Sequence, residues 1–490
     1  MAVKKSLKLN FVMNVILTMS SIVFPLITFP YASRILLPEG MGRVSFATSV
    51  IAYFNMLAQL GIPTYGIRAC AKVRDNKLKL SQTVQEILTI NLITTLMAYA
   101  ALAFALTFMS RLYDDRELYI IVSASIIFNT IGMEWFYKAL EQYTYITIRS
   151  LIFKIIAVIA MFMLVRESAD YKIYGGITIF AASASNIFNF INVHRFVDFG
   201  YRCKFDLSNH IKPILVFFGM SCATIIYLNM DTVMLGFMKS DIDVGYYNTA
   251  VKIKTILVSV VTSLSAVLLP RCAYYVEKGL IEEFHRICKK ALNFVFIIAA
   301  PLMVYFIIYA AQSIRFLSGP AYDEAVVPMQ IIMPTLLFIG LSNILGIQVL
   351  IPLGKEKIVL ISEIAGAAID LVINYLLIPK YASIGAAFGT TVAEAVVLAI
   401  QCFALRGDLS ELLSNIKYWK TIVAVSLGAL FSVLVVSEFN YGAFITLIIS
   451  SICFFGMYAI IMLATKEYMA MELFDTVMQT VTTKMRGKND

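Results

Sequence analysis

The sequence predicts an all-α integral membrane protein of about fourteen transmembrane helices, with two pseudo-symmetric six-helix lobes around a central cavity and two further C-terminal helices. Three observations carry this expectation. The chain is 60% hydrophobic and 14% charged, with a mean hydropathy of +0.81, whereas soluble domains carry roughly a quarter charged residues. Apolar runs of about 20 residues, long enough to cross a core of about 30 Å as helix, recur from end to end. Finally, the chain starts a similar pattern again after its midpoint.

The expected spans are 10–33, 44–67, 83–109, 118–140, 147–165, 173–193, 213–238, 245–269, 287–311, 327–351, 358–379, 384–405, 418–436 and 441–464. Lys4, Lys5 and Lys8 precede the first. That span is too long for a signal-peptide core and lacks a small-x-small cleavage site, so it reads as a retained helix. None of the spans alternates as barrel strands do. With the N-terminus inside, 28 of the 40 Lys and Arg fall in or beside inner segments and 9 at outer ones, which places both termini in the cytoplasm. The net charge of +9 therefore reflects topology, and no nucleic-acid partner is implied. The seven cysteines are scattered without a CxxC, so neither a disulfide framework nor a thiolate metal site is expected. His194, His210 and His285 all fall in predicted cytoplasmic loops, which leaves no imidazole in the membrane for a metal or a proton relay.

All outer connections are short and nearly the whole chain is helix bundle, which leaves little room for a catalytic site acting on a soluble substrate. The expected organisation is an N-lobe over 1–200, a C-lobe over 201–410, two added helices over 411–466 and a cytoplasmic tail over 467–490. The first hairpin and the pair formed by spans seven and eight correspond. In each, a long helix ends in a tight outer turn, and Gly42 or Gly245 then opens a helix with a small or polar start. Transporters are commonly built from duplicated halves with the substrate site between them.

Polar residues recur at helical spacing on these paired spans. Span one carries Asn10, Asn14, Thr18, Ser21, Pro25 and Thr28; span two carries Ser45, Thr48, Asn55 and Gln59. Span seven carries Ser221, Thr224 and Asp231; span eight carries Asn248, Lys252, Thr255, Ser259 and Thr262. Such stripes can simply join helices in lipid, but four at matching positions, one with an acid and one with a lysine, fit a water-accessible cavity. Asp231 is the sole charged residue of 213–238. A lone carboxylate there costs at least a few kcal/mol, so it should face the cavity and hold a partner, for which Lys252 is the candidate. A structural ion pair between the two helices is the alternative. Arg34 stands at the outer end of span one, and Lys154 near the inner end of span five, where it is placed to snorkel. Glu134 lies toward the inner end of span four, and Glu363, Asp370 and Glu394 would form a second acidic cluster if they face inward. Pro25, Pro30, Pro301, Pro334 and Pro352 mark possible bends.

The stretches NFVMNVILTMSSIVFPLITFPYASRILLPEGMGRVSFA, LGIPTYGIRACAKVRD, GMEWFYKALEQYTYITIRSLIFKI, NMDTVMLG, VGYYNTAVKIKTILVSVVTSLSAVLLPR and NYLLIPKYASIGAAFGTTVAE together resemble the Wzx-type flippases of O-antigen and capsule assembly, over nearly the whole chain. Those proteins are polysaccharide transporters of the multidrug/oligosaccharidyl-lipid/polysaccharide exporter superfamily. The resemblance implies alternating access in the bacterial inner membrane, with an undecaprenyl-pyrophosphate-linked oligosaccharide as substrate. It also implies lipids and other polysaccharide-assembly membrane proteins as partners, and coupling to a proton or sodium gradient rather than a resident cofactor or metal. On that reading Lys252, Arg34, Lys154 and Arg149 are the cations for a pyrophosphate, Asn14, Asn55, Gln59 and Asn248 line the path, and Asp231, Glu134, Asp370 and Glu394 serve coupling or gating. No GxxxxGK[ST] loop is present for ATP. A multidrug exporter or a lipid II flippase of the same superfamily would share the fold. A membrane glycan polymerase or acyltransferase would need a substantial outer loop or an intramembrane catalytic pair, and a scaffold leaves the stripes unexplained.

The orientation has a direct test. In a chain whose native cysteines are replaced by serine, a cysteine at Lys172 should react with an impermeant maleimide from outside the cell, and one at Arg74 only after permeabilisation; the opposite pattern would invert the topology.

Overall fold

The computed structural model describes residues 7–201, 205–263, 265–413, 417–437 and 442–472. Lys4, Lys5, Cys203 and residues 473–490 of the expected tail lie outside the described residues. All regular structure among the described residues is helical. One compact unit, Met1–Asn248, holds α1 (Leu7–Gln59), α2 (Ile62–Val73), α3 (Lys77–Phe108), α4 (Ser110–Tyr113), α5 (Arg116–Gly132), α6 (Glu134–Ala139), α7 (Tyr143–Leu164), α8 (Tyr171–Ile179), α9 (Asn186–Val193), α10 (Ser208–Met238) and the start of α11 (Asp241–Val261). The second, Thr249–Asp490, holds the rest of α11 with α12 (Ser265–Glu277), α13 (Ile281–Ile308), α14 (Ala310–Ser318), α15 (Val326–Ile332), α16 (Thr335–Asn343), α17 (Glu356–Ala404), α18 (Arg406–Leu413), α19 (Tyr418–Ser437) and α20 (Ala443–Ala464).

Among the described residues, ten helices are long and apolar enough to cross a membrane, or eleven if a bent pair is one span. The expected spans do not appear as fourteen separate helices, for local reasons. α1 contains 10–33 and the greater part of 44–67, which are divided at Leu37 (φ 59°), and the rest of the second span lies in α2. Pro38 follows, and a proline keeps the residue before it out of the right-handed helical region. α17 likewise contains 358–379 and 384–405, divided at Ala382 (φ 47°) three residues beyond Pro379. The eighth expected span ends early, since α11 stops at Val261, and it carries Asp241, Asp243, Lys252 and Lys254. The tenth is the bent pair Pro320–Ile332 and Thr335–Leu350, which meet at 42° with Pro334 at the break.

In the first unit α1 packs along α3, α5, α7 and α10. Asn76 starts α3 by accepting the amides of Leu78 and Lys79, both at 3.1 Å, which satisfies two of the donors a helix start leaves open. Ile62, Val84, Ile87, Trp135, Phe136, Tyr137 and Ile214 form a core that draws α2, α3, α6 and α10 together. That core depends on close approach. A Cβ on Gly66 would stand 2.5 Å from Trp135 Cε3. At Gly61 (φ +75°), which no Cβ-bearing residue adopts easily, it would stand 2.5 Å from the amide nitrogen of Phe218.

In the second unit the α19–α20 hairpin lies against α13 through polar bonds inside an apolar packing surface. Tyr305 meets Ser450 at 3.0 Å, Tyr309 donates to Ser432 at 3.0 Å and Tyr458 donates to the Ile297 carbonyl at 2.9 Å. Lys420 Nζ donates to the carbonyls of Thr465 and Lys466, which puts a cation on the electron-rich end of α20.

Gly66→Val should overpack the α2–α6 contact and cost about 1–3 kcal/mol. A lowered midpoint of thermal unfolding in detergent, followed by tryptophan fluorescence, is the expected result.

Candidate functional site

The helix α7 brings two cations into the interior of the first unit. Lys154 is 9% exposed and Arg149 is 7% exposed. The helix begins at Tyr143 rather than at the expected 147, so Lys154 stands at its midpoint, about 16 Å along the axis from either end. Its ammonium donates to the hydroxyls of Ser20 and Ser21 on α1, at 2.8 and 3.0 Å. Arg149 Nη1 donates to the Ser185 carbonyl at 2.8 Å, and its guanidinium lies 5.9 Å from the ring centroid of Tyr145. Its Nε is buried without a hydrogen-bond partner among the described residues. Glu134 is the acid whose charge reaches both, yet its salt bridge is to Lys138 at 2.8 Å. Two buried cations are thus held directly by neutral acceptors, with Glu134 acting on both only at a distance, an arrangement that offsets their desolvation in part and leaves room for an incoming anion.

A run of amides and hydroxyls crosses the same unit. Asn129 donates to Asn55 at 3.3 Å and Asn186 donates to Asn129 at 3.4 Å, which links α1, α5 and α9. Gln59 donates to Thr130 at 3.2 Å, and Thr130 meets Thr95 of α3 at 2.8 Å. Asn14 and Arg34 of α1 are both exposed. Each carboxamide carries donors and acceptors, the pairing that hydroxyl-rich ligands use.

Asp231 is buried, 7% exposed, and accepts a hydrogen bond from the Tyr247 hydroxyl. One residue on, Thr232 and Asn248 face each other at 3.4 to 3.5 Å. Two contacts of equal sequence separation therefore zip the C-terminal part of α10 to the start of α11. Tyr247 carried no signal in the sequence, since it is one of 26 tyrosines and its role appears only when the turn at 239–240 folds α11 back. Lys252, one to two turns further along α11, is half-buried.

In the second unit, Asp370 and Glu394 are 1% and 8% exposed, on the two halves of α17. Asn374 donates to Asp370 at 3.2 Å. Gly389 makes room for this pair, because a Cβ there would come within 2.8 Å of Asp370 Oδ1. Glu363 is exposed and does not join them.

Two histidines depart from the loops expected for them. His285 lies in α13, where it meets Glu411 at 2.9 Å. His210 lies in the first turn of α10, its ring between Tyr65 Oη at 2.6 Å and Glu86 Oε2 at 2.8 Å. The three residues are far apart in the chain and share no periodicity, so nothing in the sequence joined them.

Comparison with known proteins agrees with this architecture. Residues 7–276 match the family described as "Polysaccharide biosynthesis protein", and residues 217–376 match the MatE family. A relative from Escherichia coli (strain K12), named for O-antigen transport, is 26% identical over 83% of this chain and 98% of its own length. Another from Shigella dysenteriae with the same name is 23% identical over 82% of this chain and all of its own. Among solved structures, the lipid II flippase MurJ in an inward closed conformation superposes with a TM-score of 0.68 at 14% identity, covering 93% of this chain and 100% of that one. An inward-facing multidrug resistance transporter of the MATE family superposes at 0.60 with 12% identity, covering 82% and 99%. These two likenesses are of fold. With more than half of its length matched by one family, this multi-pass membrane protein belongs to the polysaccharide biosynthesis protein family.

Proposed function

We propose that the protein is a flippase for lipid-linked oligosaccharides, moving undecaprenyl-pyrophosphate-linked repeat units of O-antigen or capsular polysaccharide from the cytoplasmic to the outer leaflet of a bacterial inner membrane. The observation that carries this is the pair of buried cations on α7 with neutral partners, Lys154 with Ser20 and Ser21 and Arg149 with Ser185. A diphosphate supplies the charge that these side chains lack, and the track from Asn55 to Asn186 offers hydrogen bonds to sugar hydroxyls. Membership of a polysaccharide biosynthesis family and relatives named for O-antigen transport support the same substrate class.

The proposed machine is a pair of lobes, 1–200 and 201–410, followed by two added helices, with both termini cytoplasmic and transport by alternating access. Arg34, Asn14 and Asn248 are assigned to the path, and Asp231 and Lys252 to a charge pair that breaks and forms as the substrate passes. Asp370, buried beside Asn374, and Glu394, together with Glu134, are assigned to a proton or sodium gradient. Other polysaccharide-assembly membrane proteins are the partners to which the product would pass. A multidrug exporter is the second reading, favoured by the MatE match over 217–376.

Purified protein in proteoliposomes should move an undecaprenyl-pyrophosphate oligosaccharide between leaflets. Lys154→Ala and Arg149→Ala should each slow that movement by tenfold or more, as loss of a charge-assisted contact worth roughly 1.5–3 kcal/mol implies. Efflux of cationic drugs, with no movement of the lipid under either gradient, would establish the exporter instead. For the charge pair, cysteines at Asp231 and Lys252 should crosslink in at least one transport state; a pair that never crosslinks under any gradient or substrate condition sinks the assignment.

A further inference from the structure

The two glycines that open corresponding helices in the sequence repeat, Gly42 and Gly245, meet in the structure. A methyl group added at Gly42 would overlap the carbonyl oxygen of Asp241, and one added at Gly245 would overlap that of Pro38. Each glycine therefore rests on the first turn of the other's helix. Neither has a positive φ, so the requirement for glycine is closeness of backbone and not conformational freedom. The crossing is reciprocal, as expected of two halves related by a pseudo-two-fold axis.

A cluster of charges surrounds the crossing, drawn from all four turns at this end of the first unit. Arg111, just before α5, donates to Asp241 and, through Nε, to the Gly236 carbonyl at 2.9 Å; its guanidinium lies 4.9 Å from the Phe46 ring centroid. Arg43 reaches Glu39 at 2.7 Å, the Tyr171 hydroxyl at 3.2 Å, and both Asp115 and Asp241 at 3.8 Å. Tyr171 in turn donates to Asp115 at 3.0 Å. The carboxylates of Asp115 and Asp241 are 13% and 14% exposed, while the arginines keep about a third of their surface. Partial burial makes such a network stronger than isolated surface pairs, and the arginine forks give it direction. Asp241 is the side chain through which α11 joins both arginines.

We propose that this crossing is the latch of an outer gate: the interleaved glycines let the starts of α11 and of the second half of α1 seal together, and the arginine–aspartate network fastens the seal until it parts to release substrate outward. The inference rests on the flippase reading for its orientation and purpose. Its mechanics are independent of the substrate. The fastening is electrostatic and only partly buried, so it can be undone and remade. The glycine contact is steric and all-or-none, so the closed form excludes even a methyl group.

The test needs no substrate. Thr48 follows Gly42 by six residues on α1 and is exposed, so a cysteine there reports access from the outer side in a chain whose native cysteines are replaced by serine. Asp241→Asn, which keeps shape and removes charge, should raise the labelling rate of Thr48→Cys by an external impermeant maleimide about tenfold. Gly42→Leu, which forbids the seal, should raise it at least as much. Asp241→Glu, which keeps the charge that both arginines hold, should stay near the parent rate. Unchanged labelling in monodisperse Asp241→Asn protein would overturn the latch, as would labelling of the Asp241→Glu protein as high as that of Asp241→Asn. Labelling that follows the expected pattern in a protein that moves no lipid-linked sugar would sink the flippase reading and leave the latch standing; the converse would sink the latch alone.

Discussion

Inside hydrocarbon there is no water to satisfy a stray amide or charge, and most of what is distinctive in this protein follows from that constraint. Backbone groups are satisfied within helices, so the described chain has no other regular structure. Side-chain groups must be satisfied by neighbours. The hydroxyls of Ser20 and Ser21 take up Lys154, the Ser185 carbonyl takes up Arg149, and Tyr247 donates to Asp231. None of these interior partners is an opposite charge. Each of these charged groups carries a desolvation that an apolar isostere would avoid.

The two ends of the first unit treat charge differently from its middle. At the end formed by the turns near 37–43, 110–116, 168–172 and 239–241, acids and bases are paired and partly solvated. The opposite end carries Arg74 with Glu141 at 2.8 Å, and Glu86 with His210. Charges there close upon each other, while Lys154, halfway along α7, and Arg149, nearer its start, have neutral hydrogen-bond partners.

Glycine marks the places where backbone must touch backbone or ring. Gly61 and Gly66 let α10 and Trp135 settle on the segment around α2, and Gly42 and Gly245 let two helix starts cross. The helices are broken by related means. Leu37 before Pro38 and Ala382 after Pro379 turn the chain back within what would otherwise be helices of 53 and 49 residues. Pro334 bends a span without reversing it.

What the sequence determined by itself was the class of structure. Hydropathy and the scarcity of charge are sums over many residues, which is why they named a helical membrane protein, and the order of soft motifs was enough to resemble its family. Periodicity placed Asn55 and Gln59 on one face and singled out Asp231, because helical spacing is a local property. The repeat at Gly42 and Gly245 was visible, though not that the two glycines touch. Only the tertiary structure decided partners. Tyr247 for Asp231, Ser20 for Lys154 and Glu86 for His210 are choices made by helix packing between segments up to 134 residues apart. Neither composition nor spacing encodes such a distance. Lys154 shows the limit most clearly: α7 starts four residues before the expected span, which puts this side chain at the midpoint of the helix, and only packing against α1 supplies the hydroxyls of Ser20 and Ser21 that hold it.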